Sequence, residues 1–165
     1  PFTEYVMVND NHLNKFNCAN KSLNVKNLYA KNNSLTNFAC IREMANLTNL
    51  DLTMNSLSKI TPKAFLKLTK LRFMSINNQT KLLKLSPKAF APLKNLTNWQ
   101  VDRLRSYKNL REILPKLSIL FLTTATWNCN HTKNVSDILA SQKIRMSYNN
   151  YVDRYVCNIT QPAFT

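Results

Sequence analysis

Leu47-Thr48-Asn49-Leu50-Asp51-Leu52-Thr53-Met54-Asn55-Ser56-Leu57-Ser58-Lys59-Ile60 is the stretch that decides the fold. Leu50, Asp51 and Leu52 alternate apolar, polar, apolar at the strand period, which sends Leu50 and Leu52 inward and Asp51 outward. Asn55 follows where the chain must turn away, and a buried amide there can hydrogen-bond the backbone of its own bend and of the next. A three-residue strand cannot bury its face alone, so the stretch implies stacked copies on both sides.

The copies are present. The first is Val6, Val8, Asn11, Leu13 and Phe16; the second is Val25, Leu28, Ala30, Asn33, Leu35 and Phe38. After the quoted stretch come Leu71, Met74, Ile76 and Gln79, then Leu96, Trp99, Val101 and Leu104, then Leu117, Leu120, Leu122 and Ala125. Equivalent positions 3, 25, 47, 71, 96 and 117 are separated by 22, 22, 24, 25 and 21 residues. The return segments repeat as well, as Ile60-Thr-Pro-Lys-Ala-Phe65 and Leu85-Ser-Pro-Lys-Ala-Phe90. The asparagine row holds for three turns and then becomes Gln79, Leu104 and Ala125, so regularity is expected to decay in the second half.

The pattern LxxLxLxxNxLxxI resembles the core of a leucine-rich repeat, and the resemblance covers nearly the whole chain. It implies an α/β fold: a right-handed solenoid with a concave parallel sheet of about six short strands. Thr126-Trp127-Asn128-Cys129 resembles the entry to the C-terminal cap of extracellular leucine-rich-repeat proteins. That family usually carries four cap cysteines; here His131 stands at the second position and only Cys157 remains downstream. The resemblance therefore implies one cap bridge, Cys129–Cys157, and a division into a solenoid (1–127), a cap (128–157) and a tail (158–165). Residues 28–35 and the Leu122–Cys129 element also resemble insect innate-immune leucine-rich-repeat proteins, including mosquito complement-like factors, and Toll-type ectodomains.

Cys18 and Cys40 each lie seven residues after a row asparagine, Asn11 and Asn33. Equal register on turns about 4.8 Å apart falls within the Cα window of a disulfide, so this bridge is favoured over two buried free thiols. Four cysteines with eight Asn-x-Ser/Thr sequons point outside the cytosol. Asn20, Asn78, Asn130, Asn134 and Asn158 are the expected glycosylation sites, whereas Asn46 and Asn95 start strands. No apolar run approaches the ~20 residues of a membrane span. The chain opens inside a repeat, and further repeats before Pro1 are the expectation. It contains no glycine, so asparagines at 32–33, 77–78 and 149–150 are expected at bends needing positive φ. Helical turns are expected over 61–68, 86–93 and within 102–116, and an amphipathic helix starting near Asn134 with Val135, Ile138, Leu139 and Gln142 on one face.

Enzyme chemistry finds little support. Glycine-dependent motifs are excluded, the acidic residues are scattered, and Cys129 with His131 supplies two of the four ligands a structural zinc needs. No cofactor and no metal site are expected. The net charge of +15 does not lie on the strand face. There Lys26, Lys31, Arg72 and Arg103 balance Glu4, Asp10, Asp51 and Asp102, leaving the excess on the return side, loops and cap. The neutral face carries Tyr5, Met7, Tyr29, Asp51, Phe73, Gln100 and Phe121, residue types that suit protein recognition. The reading is thus an extracellular, non-enzymatic module with a protein ligand on its concave face, in innate immunity by resemblance. An acidic glycan or anionic surface on the basic return side, and a structural or dimerising role in a receptor ectodomain, stay open; nucleic acid is the least favoured partner for want of a basic-aromatic stripe.

Overall fold

The computed structural model describes residues 3–16, 24–79, 84–85, 87–102, 108–122 and 129–148. In chain order the strands are β1 (Tyr5–Met7), β2 (Asn27–Tyr29), β3 (Asn49–Asp51), β4 (Lys59–Ile60), β5 (Phe73–Ser75), β6 (Lys84–Leu85), β7 (Asn98–Val101), β8 (Ile119–Leu122) and β9 (Arg145–Tyr148). Helix α1 (Leu110–Ile113) precedes β8, and α2 (Cys129–Ser141) precedes β9. Seven strands form one parallel sheet in the order β1-β2-β3-β5-β7-β8-β9, while β4 and β6 pair on the return side. The repeat spacing dictates the register: Val6 opposes Leu28, which opposes Leu50, then Met74, Trp99, Leu120 and Met146. From Leu28 to Met146 this inward column is buried. Val6, at the open end, is half-buried against the core.

The sheet has one strand more than the expected six or so because the stretch expected to form a cap supplies β9, which pairs with β8 from Ile119↔Arg145 to Leu122↔Tyr148. Helix α2 also starts earlier than expected, at Cys129 instead of near Asn134. Its inward face is as the spacing implied, with Val135 and Leu139 buried and Ile138 packed beside them. On the return side, Pro87–Phe90 forms a 3-10 helix. The equivalent earlier segment is a run of turns closed by Ala64 N to Thr61 O and Leu68 N to Phe65 O, both 3.0 Å. These segments carry an aromatic spine in which Phe38–Phe65, Phe65–Phe90 and Phe90–Trp99 ring centroids lie 5.1, 5.4 and 4.7 Å apart.

The amide row welds the turns. Asn55 Nδ2 donates to Leu52 O (3.0 Å) and Thr53 O (3.2 Å) of its own bend and to Ala30 O (2.9 Å) of the preceding turn. Its Oδ1 accepts from Leu35 N at 3.0 Å. Asn33 repeats the scheme with Ala30 O, Lys31 O, Val8 O and Leu13 N. Gln79 does not end the row, as the change of residue suggested: Nε2 donates to Asn77 O and Leu52 O, and Oε1 accepts from Leu57 N. The one longer arm keeps the same three backbone partners in reach. Asn11 bonds only within its own bend among the described contacts, to Val8 O and Asn9 O.

The residue before each row amide is left-handed: Asp10 (φ 56°), Asn32 (53°), Met54 (55°) and Asn78 (52°). Asn32 and Asn78 fit the asparagine expectation, and Asp10 and Met54 depart from it. Cys40 is buried and disulfide-bonded. Its expected partner Cys18, together with Cys157, the sequons at Asn20 and Asn158, and residues 103–107, 125–128, 149–150 and the 158–165 tail, lies outside the described residues.

Candidate functional site

The outward face of the sheet is built by three columns whose register follows from strand pairing. One runs Tyr5, Asn27, Asn49, Phe73, Asn98, Ile119 and Arg145; the next runs Met7, Tyr29, Asp51, Ser75, Gln100, Phe121 and Ser147. The third continues two residues beyond, through Asn9, Lys31, Thr53, Asn77 and Asp102.

At the β1 end, Tyr5 is 54% exposed and Met7 59% exposed. The Tyr5 ring lies 5.3 Å from that of Tyr29, tilted by 39°. Parallel pairing places Tyr5 opposite Asn27 and Met7 opposite Tyr29, so the two tyrosines sit diagonally and can tilt together. Three large side chains thus share one corner, flanked by the ion pair of Lys26 with Glu4 at 2.7 Å and by exposed Lys31. Phe73 and Phe121 are half-buried and belong to different columns on β5 and β8, with β7 between them. The seven expected face residues are therefore not one patch. Tyr5, Met7 and Tyr29 converge, while Phe73 and Phe121 stand apart.

The middle of the face is polar and closed. Asp51 Oδ1 accepts from Thr53 N at 2.9 Å, so that carboxylate is partly spent on its own bend. Ser75 Oγ lies 2.6 Å from Thr53 Oγ1, and both hydroxyls lie 2.8 Å from Asn77 Oδ1. Gln100 Oε1 is 3.3 Å from Ser75 Oγ. Thr53, Ser75 and Asn77 are buried although they stand on the outward columns. Small polar side chains on adjacent strands bond sideways to one another, which seals the surface between them. The signal for this network in the sequence was a Thr or Asn two residues beyond the end of a strand on two adjacent turns.

Among the described residues, no group of three or more His, Cys, Asp and Glu side chains converges. Glu43 lies on the return side, and its carboxyl is held below the usual carboxylate range by a hydrogen bond from Lys67 and the charge of Arg42. No described helix is long and apolar enough to cross a membrane. Asn46 and Asn95 do not start strands but sit in turns three residues before β3 and β7, where side-chain bonds to neighbouring turns hold them: Asn46 Nδ2 reaches Asn24 Oδ1 (3.4 Å), Asn95 Nδ2 reaches Thr69 O (2.9 Å), and Lys70 and Lys116 donate to their Oδ1 atoms (2.8 Å each). Asn78, Asn130 and Asn134 are exposed.

Residues 45–100 match the family described as Leucine rich repeat. No curated protein matches the chain. Among solved structures, an internalin (InlF) of Listeria monocytogenes aligns over 94% of this chain with a TM-score of 0.60 and 14% sequence identity. The alignment covers 45% of the internalin, so this chain spans under half of that protein's length. The likeness is one of fold.

Proposed function

We propose that this leucine-rich-repeat solenoid is an extracellular, non-enzymatic recognition module that binds a protein on the β1 end of its concave face. The observation that carries the reading is the cluster of exposed Tyr5 and Met7 with half-buried Tyr29. Large apolar side chains on a regular strand surface offer anchors for a partner. The surrounding strands are short, in register and tied by the amide rows, which makes the patch rigid and lowers the ordering cost of binding. A fold shared with an internalin is consistent with a surface or extracellular setting, and the paired cysteine and exposed sequons support the same compartment. A place in innate immunity rests on the motif resemblance alone.

The test uses the partner captured on the immobilised protein from its native fluid. Tyr5→Ala and Tyr29→Ala are expected to weaken that partner by about 1–2 kcal/mol each, with little change in melting temperature for exposed Tyr5 and a measurable drop for half-buried Tyr29. Phe121→Ala is expected to shift melting more than binding, since its ring is half-buried. If the tyrosine variants bind normally while Lys63→Glu with Lys88→Glu abolishes capture, the concave-face reading is wrong.

A further inference from the structure

The return side carries a different arrangement. Strands β4 and β6 pair in parallel with Lys59 directly opposite Lys84. Four residues on, Pro62-Lys63-Ala64-Phe65 lies beside Pro87-Lys88-Ala89-Phe90, the two phenylalanine rings 5.4 Å apart. Two adjacent turns therefore place lysines at matching positions twice over, about 4.8 Å apart in backbone spacing. Like charges directly opposite on paired strands are destabilising. Nothing in the core requires lysine there, because buried Ile60, Phe65 and Phe90 supply the apolar positions.

Neighbouring cations are already engaged. Lys67 pairs with Glu43, Lys70 donates to Asn46 Oδ1, and Lys94 donates to Ile113 O. Among the described residues the ion pairs are Lys26–Glu4, Arg42–Glu43 and Lys67–Glu43, and none involves Lys59, Lys63 or Lys88. All three of these lysines are exposed.

We infer that this set of lysines, at positions 59, 63 and 88 of the return side, is a docking surface for a linear sulfated polysaccharide. Ammonium groups are point charges that need no planar fork, and a sulfated chain offers anions repeated along a line. Nucleic acid fits less well, because Phe65 and Phe90 face the core and no described aromatic on this side is exposed for base stacking. A lipid surface fits less well too, since Leu66 is the large apolar side chain exposed there and one such group gives weak anchoring. The surface lies on the return side, away from the tyrosine cluster, so it stands or falls separately from the protein-recognition reading.

The experiment measures affinity for heparin at about 0.15 M salt, where unscreened non-specific attraction is reduced. Three proteins are compared: the native chain, Lys59→Gln/Lys63→Gln/Lys88→Gln, and a control with the same charge change, Lys108→Gln/Lys133→Gln/Lys143→Gln. The return-side variant is expected to lose about tenfold or more in affinity and the control several-fold less, the salt slope falling only for the return-side variant. Thermal melting of both variants guards against misfolding. Equal losses in return-side variant and control would overturn the proposal in favour of diffuse charge. So would binding of single-stranded DNA or anionic vesicles as tight as heparin, or no retention of the native chain at this salt.

Discussion

Arg111 and Gln142 hold each other twice: the Arg111 backbone N–H donates to Gln142 Oε1 (3.2 Å), and Arg111 Nε donates to the Gln142 carbonyl (2.9 Å). The same guanidinium donates to Lys143 O (2.6 Å) and Pro115 O (2.9 Å). A cation from the last irregular repeat thereby satisfies carbonyls just past the end of α2, where the helix dipole is negative. Arg111→Ala is expected to cost about 1–2 kcal/mol, because it leaves the part-buried Gln142 carbonyl unmet. Arg111→Lys should recover only part of that loss, since an ammonium cannot span the same acceptors. Denaturant unfolding with amide exchange over α2 and β9 checks it; unchanged exchange there counts against the clamp.

The amide row gives the second expectation. Asn55 is fully buried with four backbone partners, so Asn55→Ala should destabilise the fold by about 3 kcal/mol or more. Gln79→Ala should cost less, because Gln79 is only part-buried. Equal losses in denaturation midpoint for the two variants would contradict this ordering.

Met54 and Lys143 occupy left-handed backbone at φ 55° and 58°. Lys143 is the turn residue of a Schellman end to α2, with Ile144 N bonding Leu139 O and Lys143 N bonding Ala140 O. Replacing either by Gly removes the steric penalty of a Cβ in this region. Each change should raise stability by about 0.5–1 kcal/mol. Met54→Asn should do nearly as well, matching Asn32 and Asn78 in the same column. Calorimetric melting decides.

Trp99 is 2% exposed, and its Nε1 has no hydrogen-bond partner among the described contacts. Trp99→Phe removes an unmet donor along with some packing, so its cost should be about 1–2 kcal/mol. That is below the 3–5 kcal/mol usual for truncating a large aromatic to Ala. Trp99→Ala measured beside it should show the full loss. If Trp99→Phe is as damaging as Trp99→Ala, the indole N–H has a partner after all.

For the cysteines, peptide mapping without reductant is expected to recover Cys18–Cys40 and Cys129–Cys157. The first closes about one repeat, and losing it through Cys40→Ser should cost on the order of 3 kcal/mol. A Cys40–Cys129 peptide would remove the register on which that pairing rests.

By itself the sequence determined the translational part of this protein. Leu28, Leu50, Leu120 and their inward equivalents, the Asn33–Asn55 row and the Phe65–Phe90 return side could be read because each turn repeats the last and each signal spans few residues. Burial at a fixed period constrains those positions whatever surrounds them. Tertiary structure alone decided the rest. Whether Gln79 would continue the row depended on how far its longer arm reached into the preceding turn. That β9 would join the sheet was a matter of long-range pairing with β8, and the Arg111 contacts beside it tie residues more than thirty positions apart, leaving no local periodicity to read. The grouping of Tyr5, Met7 and Tyr29, with Phe73 and Phe121 set apart, followed from strand register and from the polar Thr53–Ser75–Asn77 seal between them. Exposure on a shared face is a property of neighbours brought together by folding, and no single turn encodes it.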